Sequence, residues 1–312
     1  MRRTRNPGLL GTLVLAVVGL EACGGGESTP SSAPSSSTVQ SVDVRTETLI
    51  DTSRATEGLA DEAAKTSRTL ETAIYVPGGR TARSTTALPL VVFAHGSGGN
   101  PEFYRVLLEA WAARGYVVAA PRLPADHDDQ PGDVSFVITE LLRLSSATTG
   151  PYAGLVDANR IGVAGHSAGG AAVLGVTFNT CCVDRRIRAG VVMAGVMPPV
   201  SGGTYFAGIN TPLLVVHGVA DPSVPFAEGR RVFNDAPPPK MMLSVPASDV
   251  PSADHARPYV GTENRPAPDT RVVVDTTVGF FDRYLRDDRE AVGRIRKAVD
   301  AEVTFRLEVV DS

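Results

Sequence analysis

Ser167 stands in the pentapeptide Gly165-His166-Ser167-Ala168-Gly169, which fits the pattern G-x-S-x-G. The apolar run before it reads as a strand, and the small residues after it read as a helix beginning near Ala168. A strand that turns at once into a helix crowds its backbone, and glycines at 165 and 169 give neighbouring backbone room to approach. The apex serine is then held out above the sheet, next to N–H groups at the helix start that have no intrahelical acceptor. Serine placed there can attack a carbonyl, and the N–H of Ala168 can hold the oxyanion that forms. The hydroxyl needs a base, and the base needs an orienting carboxylate. The order expected after such a turn is serine, acid, histidine. The apolar run at 213–217 leads into Gly218-Val219-Ala220-Asp221-Pro222, which puts Asp221 just past the carboxyl end of a strand, where chemistry gathers in parallel sheets. Of the five histidines, only His255 lies downstream of Asp221. That makes His255 the candidate base. Asp254 beside it points elsewhere and is read as solvated. His127, in a run of acidic residues, either lines the pocket rim or belongs to a solvent loop, and its charged neighbours favour the loop.

A second oxyanion donor must come from a loop beside the serine. The string His95-Gly96-Ser97-Gly98-Gly99-Asn100 follows an apolar strand and precedes a helix, and the N–H of Ser97 is the candidate. The string lacks the Gly-Lys-Ser/Thr ending of a phosphate loop and the full G-x-G-x-x-G. His95 reads as a residue that orients the loop rather than as a proton carrier.

The elements that must position these residues alternate. Strands are expected at 42–50, 70–75, 88–95, 116–120, 161–164, 191–194, 213–217 and 241–245. Helices are expected at 102–114, 134–144 and 272–285. In the first of these, Phe103, Val106, Leu107, Ala110 and Trp111 recur at helical spacing, and Gly115 stops the helix. The near-continuous apolar run at 88–95 suits a strand covered on both faces. This rhythm gives an α/β fold, a mostly parallel central sheet with helices on both faces. Residues 302–310 alternate like a strand that either joins a sheet edge or packs on the surface.

Together V-V-F-A-H-G-S-G-G, G-H-S-A-G-G, L-L-V-V-H-G-V-A-D, A-D-H-A and T-T-V-G-F-F-D-R-Y-L resemble the α/β-hydrolase superfamily over roughly residues 68–287. The nearer resemblance is to its dienelactone-hydrolase-like branch, which is similar to platelet-activating-factor acetylhydrolases, chlorophyllases and cutinase-type polyester hydrolases. By position the resemblance implies Ser167 as nucleophile, Asp221 as acid, His255 as base, and Ser97 and Ala168 as oxyanion donors. It implies a carboxylic ester hydrolase acting on small or polymeric esters. Dienelactone hydrolase itself uses cysteine, so the serine argues against that reaction. The polyester hydrolases usually carry a larger residue after the serine, often methionine. Ala168 leaves more space there, and their aromatic clamp has no clear match. The connection at 195–211 is too short for a lid domain, so an open site is expected, with Tyr205 and Phe206 as one wall. The rival readings are an acyltransferase on the same triad, a non-catalytic binding lipoprotein, and a peptidase, which the lack of a lid or accessory domain to select peptides disfavours.

The chain begins with Arg2, Arg3 and Arg5, then an apolar run over 8–20, then Leu20-Glu21-Ala22-Cys23. This resembles the lipobox of bacterial lipoproteins, although Glu21 departs from the usual small residue. The expected organisation is a leader at 1–22, a lipidated Cys23 with a low-complexity tether over 23–40, and the hydrolase domain at 41–312. Cys23 would hold the exported protein to the cell membrane or envelope. The rest is ordinary globular composition, 43% hydrophobic and 21% charged, with a net charge of −4 that gives no reason to expect a nucleic-acid partner. No metal-ligand spacing occurs and no organic cofactor is implied. Cys181 and Cys182 either form a vicinal disulfide or stay as two thiols. Because adjacent side chains alternate in direction on most backbones, separate roles are favoured.

Overall fold

A computed structural model describes residues 41–58, 63–79, 86–198, 203–248, 254–256, 259 and 268–311. The expected leader, Cys23 and the tether lie outside the described residues. Nine strands form one sheet: β1 Val42–Asp51, β2 Arg68–Pro77, β3 Leu88–Ala94, β4 Val117–Pro121, β5 Val156–His166, β6 Ile187–Met193, β7 Leu213–Gly218, β8 Lys240–Val245 and β9 Arg306–Val310. Their order across the sheet is β1-β2-β4-β3-β5-β6-β7-β8-β9. Strands β4, β3, β5, β6, β7 and β8 run parallel, while β1, β2 and β9 pair antiparallel at the two margins. Residues 302–310 thus supply a strand that closes one edge, pairing Arg306 to Val310 with Ser244 to Lys240.

Helices cover both faces. Along β3, Leu90, Val92 and Ala94 point into one core, and Val91 and Phe93 into the other. The first core is capped by α2 Gln130–Ser146, α3 Ala168–Phe178 and α4 Phe226–Asp235 through Val134, Val137, Val173, Val176, Val232 and Phe233. The second is capped by α1 Arg105–Ala113, α5 Pro268–Leu285 and α6 Ala291–Asp300 through Leu107, Trp111, Phe280, Phe281 and Ile295. The connection between β6 and β7 carries no helix among its described residues.

Local sequence was misleading in four places. The helix expected from residue 102 begins with a 3₁₀ turn, Pro101–Tyr104, capped by the Asn100 side chain, which accepts from the Phe103 N–H at 3.3 Å. The tighter turn rotates the start of the stripe, so Tyr104 is buried and Phe103 is 49% exposed. Strand β5 is longer than 161–164. Helices α4 and α6 escaped the periodicity reading, because each is short and buries only a few apolar side chains. Finally, Cys181 and Cys182 are joined as a disulfide. They lie in a turn after α3, not in extended backbone, so alternation does not separate their sulfurs.

The outer part of the sheet is braced by buried charge. Arg68, fully buried at the start of β2, binds Asp133 through Nε and Nη2, both at 2.6 Å, and also binds Asp126. Arg54 adds bonds to Asp51 at 2.7 Å and Asp133 at 2.9 Å. Together they tie the β1–β2 hairpin to α2.

Candidate active site

Ser167 occupies the single step between β5 and α3, with φ 55° and ψ −120°. This is a left-handed φ, costly for a residue with a side chain and held only by surrounding structure. The restraints are visible. The Ser167 N–H donates to Met193 O at 2.9 Å, and Ser167 O accepts from the Ala171 N–H at 3.1 Å. The two glycines are required by contact. A Cβ on Gly165 would lie 2.2 Å from Gly169 O, and one on Gly169 would lie 2.1 Å from Ala94 O. Helix α3 therefore sits directly on the ends of β3 and β5, and the serine is pushed to the rim.

The three residues read from spacing converge. Asp221 follows β7, fully buried at its side chain. Its Oδ1 accepts from the N–H groups of Ser223 and Val224, both at 2.8 Å. Its Oδ2 lies 2.8 Å from His255 Nδ1, and His255 Nε2 lies 3.0 Å from Ser167 Oγ. A carboxylate can only accept, so Nδ1 of His255 carries the proton and Nε2 is free to accept from the serine hydroxyl. Burial alone would raise the Asp221 carboxyl. The bonds from Val224 N–H, His255 and Ser223 N–H outweigh it and hold the group below the ordinary carboxylate range.

The candidate oxyanion donors flank this line. Ala168 is the first residue of α3, where an N–H has no acceptor within the helix. Ser97 is exposed in the turn closed by Gly99 N–H to Gly96 O at 2.9 Å. Gly96 before it abuts the serine, since a Cβ on Gly96 would stand 3.2 Å from Ser167 Cβ. The Gly96 N–H is already committed to Tyr104 Oη at 3.2 Å. That leaves Ser97 as the residue of this turn better able to offer an N–H.

The other histidines are structural in their bonding. His95 Nε2 accepts from the Leu123 N–H at 2.9 Å, so its Nδ1–H donates to Gly96 O at 2.9 Å and fixes the turn. His217 donates from Nε2 to Val224 O at 2.9 Å, bracing the loop that carries Asp221. Burial pushes both imidazoles below their ordinary range. His166 is buried beneath His255, with ring centroids 4.7 Å apart. Burial, aided by the neighbouring His255, lowers it to about 3. His127 is exposed, in keeping with a solvent loop.

Two expectations need correction. Asp254 is not solvated. It is 3% exposed and accepts from the N–H of Ser248 at 3.1 Å and from its hydroxyl, so it anchors the segment that presents His255. Nor do Tyr205 and Phe206 stand beside the serine. The Phe206 N–H donates to Phe178 O at 2.7 Å, and Tyr205 pairs with Asn179. Both therefore sit at the far end of α3, about 15 Å along its axis from Ser167. With Met197, Pro198, Arg231 and Asp235 they line a groove of about 820 Å³ that includes none of Ser167, Asp221 and His255. Sequence reasoning also missed Tyr104, whose hydroxyl lies 2.8 Å from His166 Nδ1. The signal was its position just after the glycine turn, masked by the helical reading of Phe103.

In comparison with known proteins, the model of the alpha/beta hydrolase family matches residues 91–311, more than two thirds of the chain. No curated protein matches it.

Proposed function

The chain belongs to the alpha/beta hydrolase family, and from that premise we propose that it is a serine hydrolase that cleaves carboxylic esters through an acyl-enzyme. One observation supports this above others: the unbroken line Asp221–His255–Ser167 at 2.8 and 3.0 Å, with the serine on a strained strand-to-helix turn. In this reading Ser167 Oγ attacks the ester carbonyl carbon while His255 Nε2 takes its proton. The carbonyl oxygen becomes an oxyanion held by the N–H groups of Ala168 and Ser97. Collapse of the tetrahedral adduct breaks the C–O bond, and His255 returns the proton to the departing alcohol. Water, deprotonated by His255, then attacks the acyl-serine and releases the acid. Asp221 keeps His255 in the required tautomer and favours its charged form. The connection after β6 is too short for a lid domain and carries no helix among its described residues, which suits esters presented from outside.

The test is hydrolysis of p-nitrophenyl esters from acetyl to palmitoyl by protein lacking residues 1–22, beside Ser167→Ala. Turnover that falls by about 10⁴-fold or more in the variant supports the reading. Equal rates in both overturn it. Lipid attachment at Cys23, holding the domain to a membrane face, is proposed with it. Metabolic labelling with an alkyne fatty acid should mark the full chain and not Cys23→Ala, and label of equal strength on both contradicts attachment there.

A further inference from the structure

Beneath the triad, four groups form a buried hydrogen-bonded chain whose direction is fixed by chemistry. His166 Nε2 lies 2.8 Å from His255 O, which can only accept, so Nε2 carries a proton and donates. The imidazole is neutral in its buried position, so Nδ1 accepts from the Tyr104 hydroxyl at 2.8 Å. The Tyr104 oxygen in turn accepts from the Gly96 N–H at 3.2 Å. Every donor points the same way, from the glycine turn, through Tyr104 and His166, to the backbone of His255. His166 and Tyr104 are each 3% exposed, and the His166 ring also packs on Tyr259 at 4.8 Å. Neither reaches a substrate above the serine.

The two ends of this chain matter. Gly96 precedes Ser97, the candidate oxyanion donor. His255 is the candidate base, and its segment follows residues 249–253, which lie outside the described residues. Among the described bonds, its backbone is held by His166 from below and its ring by Asp221 from the side.

We propose that Tyr104 and His166 are positioning residues that lock the oxyanion turn and the base into one register, so that N–H donor and general base reach the same carbonyl together. This rests on the serine-hydrolase reading above. Because both residues lie beneath the site, their loss acts on kcat and leaves KM alone.

The experiment compares wild type, Ser167→Ala, Tyr104→Phe, His166→Gln and His166→Asn, with p-nitrophenyl ester kinetics and a melting curve for each. Tyr104→Phe keeps the ring and removes the link. In His166→Gln the amide nitrogen can still donate where Nε2 did, and the amide oxygen can accept from Tyr104 in place of Nδ1. In His166→Asn the amide is one methylene shorter and cannot reach the His255 carbonyl. The expected result is that Tyr104→Phe and His166→Asn lose about tenfold in kcat, at unchanged KM and with melting close to wild type. His166→Gln should retain most of the rate. If Tyr104→Phe fails to fold, the contrast between His166→Gln and His166→Asn decides alone. Wild-type kcat in all three variants overturns the positioning role, as does equal loss in His166→Gln and His166→Asn in step with lost stability. Either result leaves the hydrolase reading standing if Ser167→Ala is inactive. Undiminished turnover by Ser167→Ala removes that reading itself.

Discussion

Asp221 is the residue on which the proposed chemistry turns most finely. Its carboxylate accepts two backbone N–H groups on one oxygen and His255 on the other. Asp221→Asn keeps the shape but offers an N–H where His255 needs an acceptor, favouring the wrong imidazole tautomer. Ester turnover should fall by about 10⁴-fold with little change in melting temperature, and steady-state kinetics on the purified variant would check it. The buried histidines set a second expectation. His95, His166 and His217 all titrate lower in the fold than in the unfolded chain, because burial disfavours their charged forms. Between the unfolded value of about 6.5 and the folded one, the unfolded chain binds more protons, so stability falls as pH falls through that window. Each such histidine contributes a slope of up to about 1.4 kcal/mol per pH unit. Urea unfolding from pH 7 to pH 4 should show this loss, and His166→Gln should reduce the slope. An unchanged slope contradicts the assignment of His166 as a buried neutral group.

At the level of elements, the turn between β5 and α3 is a contact problem solved by glycine. Adding one methyl at Gly169 drives it to 2.1 Å from Ala94 O, which is backbone and cannot swing aside. Gly169→Ala should therefore lower stability by about 1–3 kcal/mol or more and displace the serine, read as a drop in melting temperature together with lost activity. Gly98, with φ +66° and nothing near its Cβ position, should tolerate alanine sterically and suffer only from its backbone angle. The sequence made this turn legible because glycine spacing records steric demand directly. It hid other elements for physical reasons. Helix α4 brings Gly229 close against His217, a contact with no local signature. The 3₁₀ turn that leads into α1 is set by the Asn100 cap, which a search for apolar stripes does not register. The alternation rule fails for the vicinal cysteines because it holds for strands and they lie in a turn. Asp254 looks exposed in the sequence because its partner, Ser248, lies on the preceding loop and closes back on it.

Across the whole molecule, residues far apart in the chain are gathered at one margin. Ser167, Asp221 and His255 leave the carboxyl ends of β5, β7 and β8, and the glycine turn leaves β3. The parallel order β4-β3-β5-β6-β7-β8 brings those ends to one side, and this much follows from alternation of apolar runs and turns. Alternation also marks the strands at the margins, at 42–50, 70–75 and 302–310, but it does not give their pairing or their place in the sheet. The closing strand β9 and the ion-paired hairpin β1–β2 are fixed by long-range partners. Arg68 is fully buried with Asp133, and removing Arg68 leaves the buried Asp133 carboxylate with Arg54 as its one remaining cation among the described ion pairs. Arg68→Ala should cost about 3–5 kcal/mol, read by chemical denaturation, while replacing Arg68 and both aspartates together by apolar residues should cost less. The most direct measurement of the central claim is to trap the intermediate. After rapid acid quench of a reaction with p-nitrophenyl acetate, mass spectrometry of the digested protein should find an acetyl group on the peptide carrying Ser167, and none on that peptide from Ser167→Ala. Turnover with no acyl group on Ser167 at any time point, or acetylation at another residue that accounts for the rate, would contradict the account.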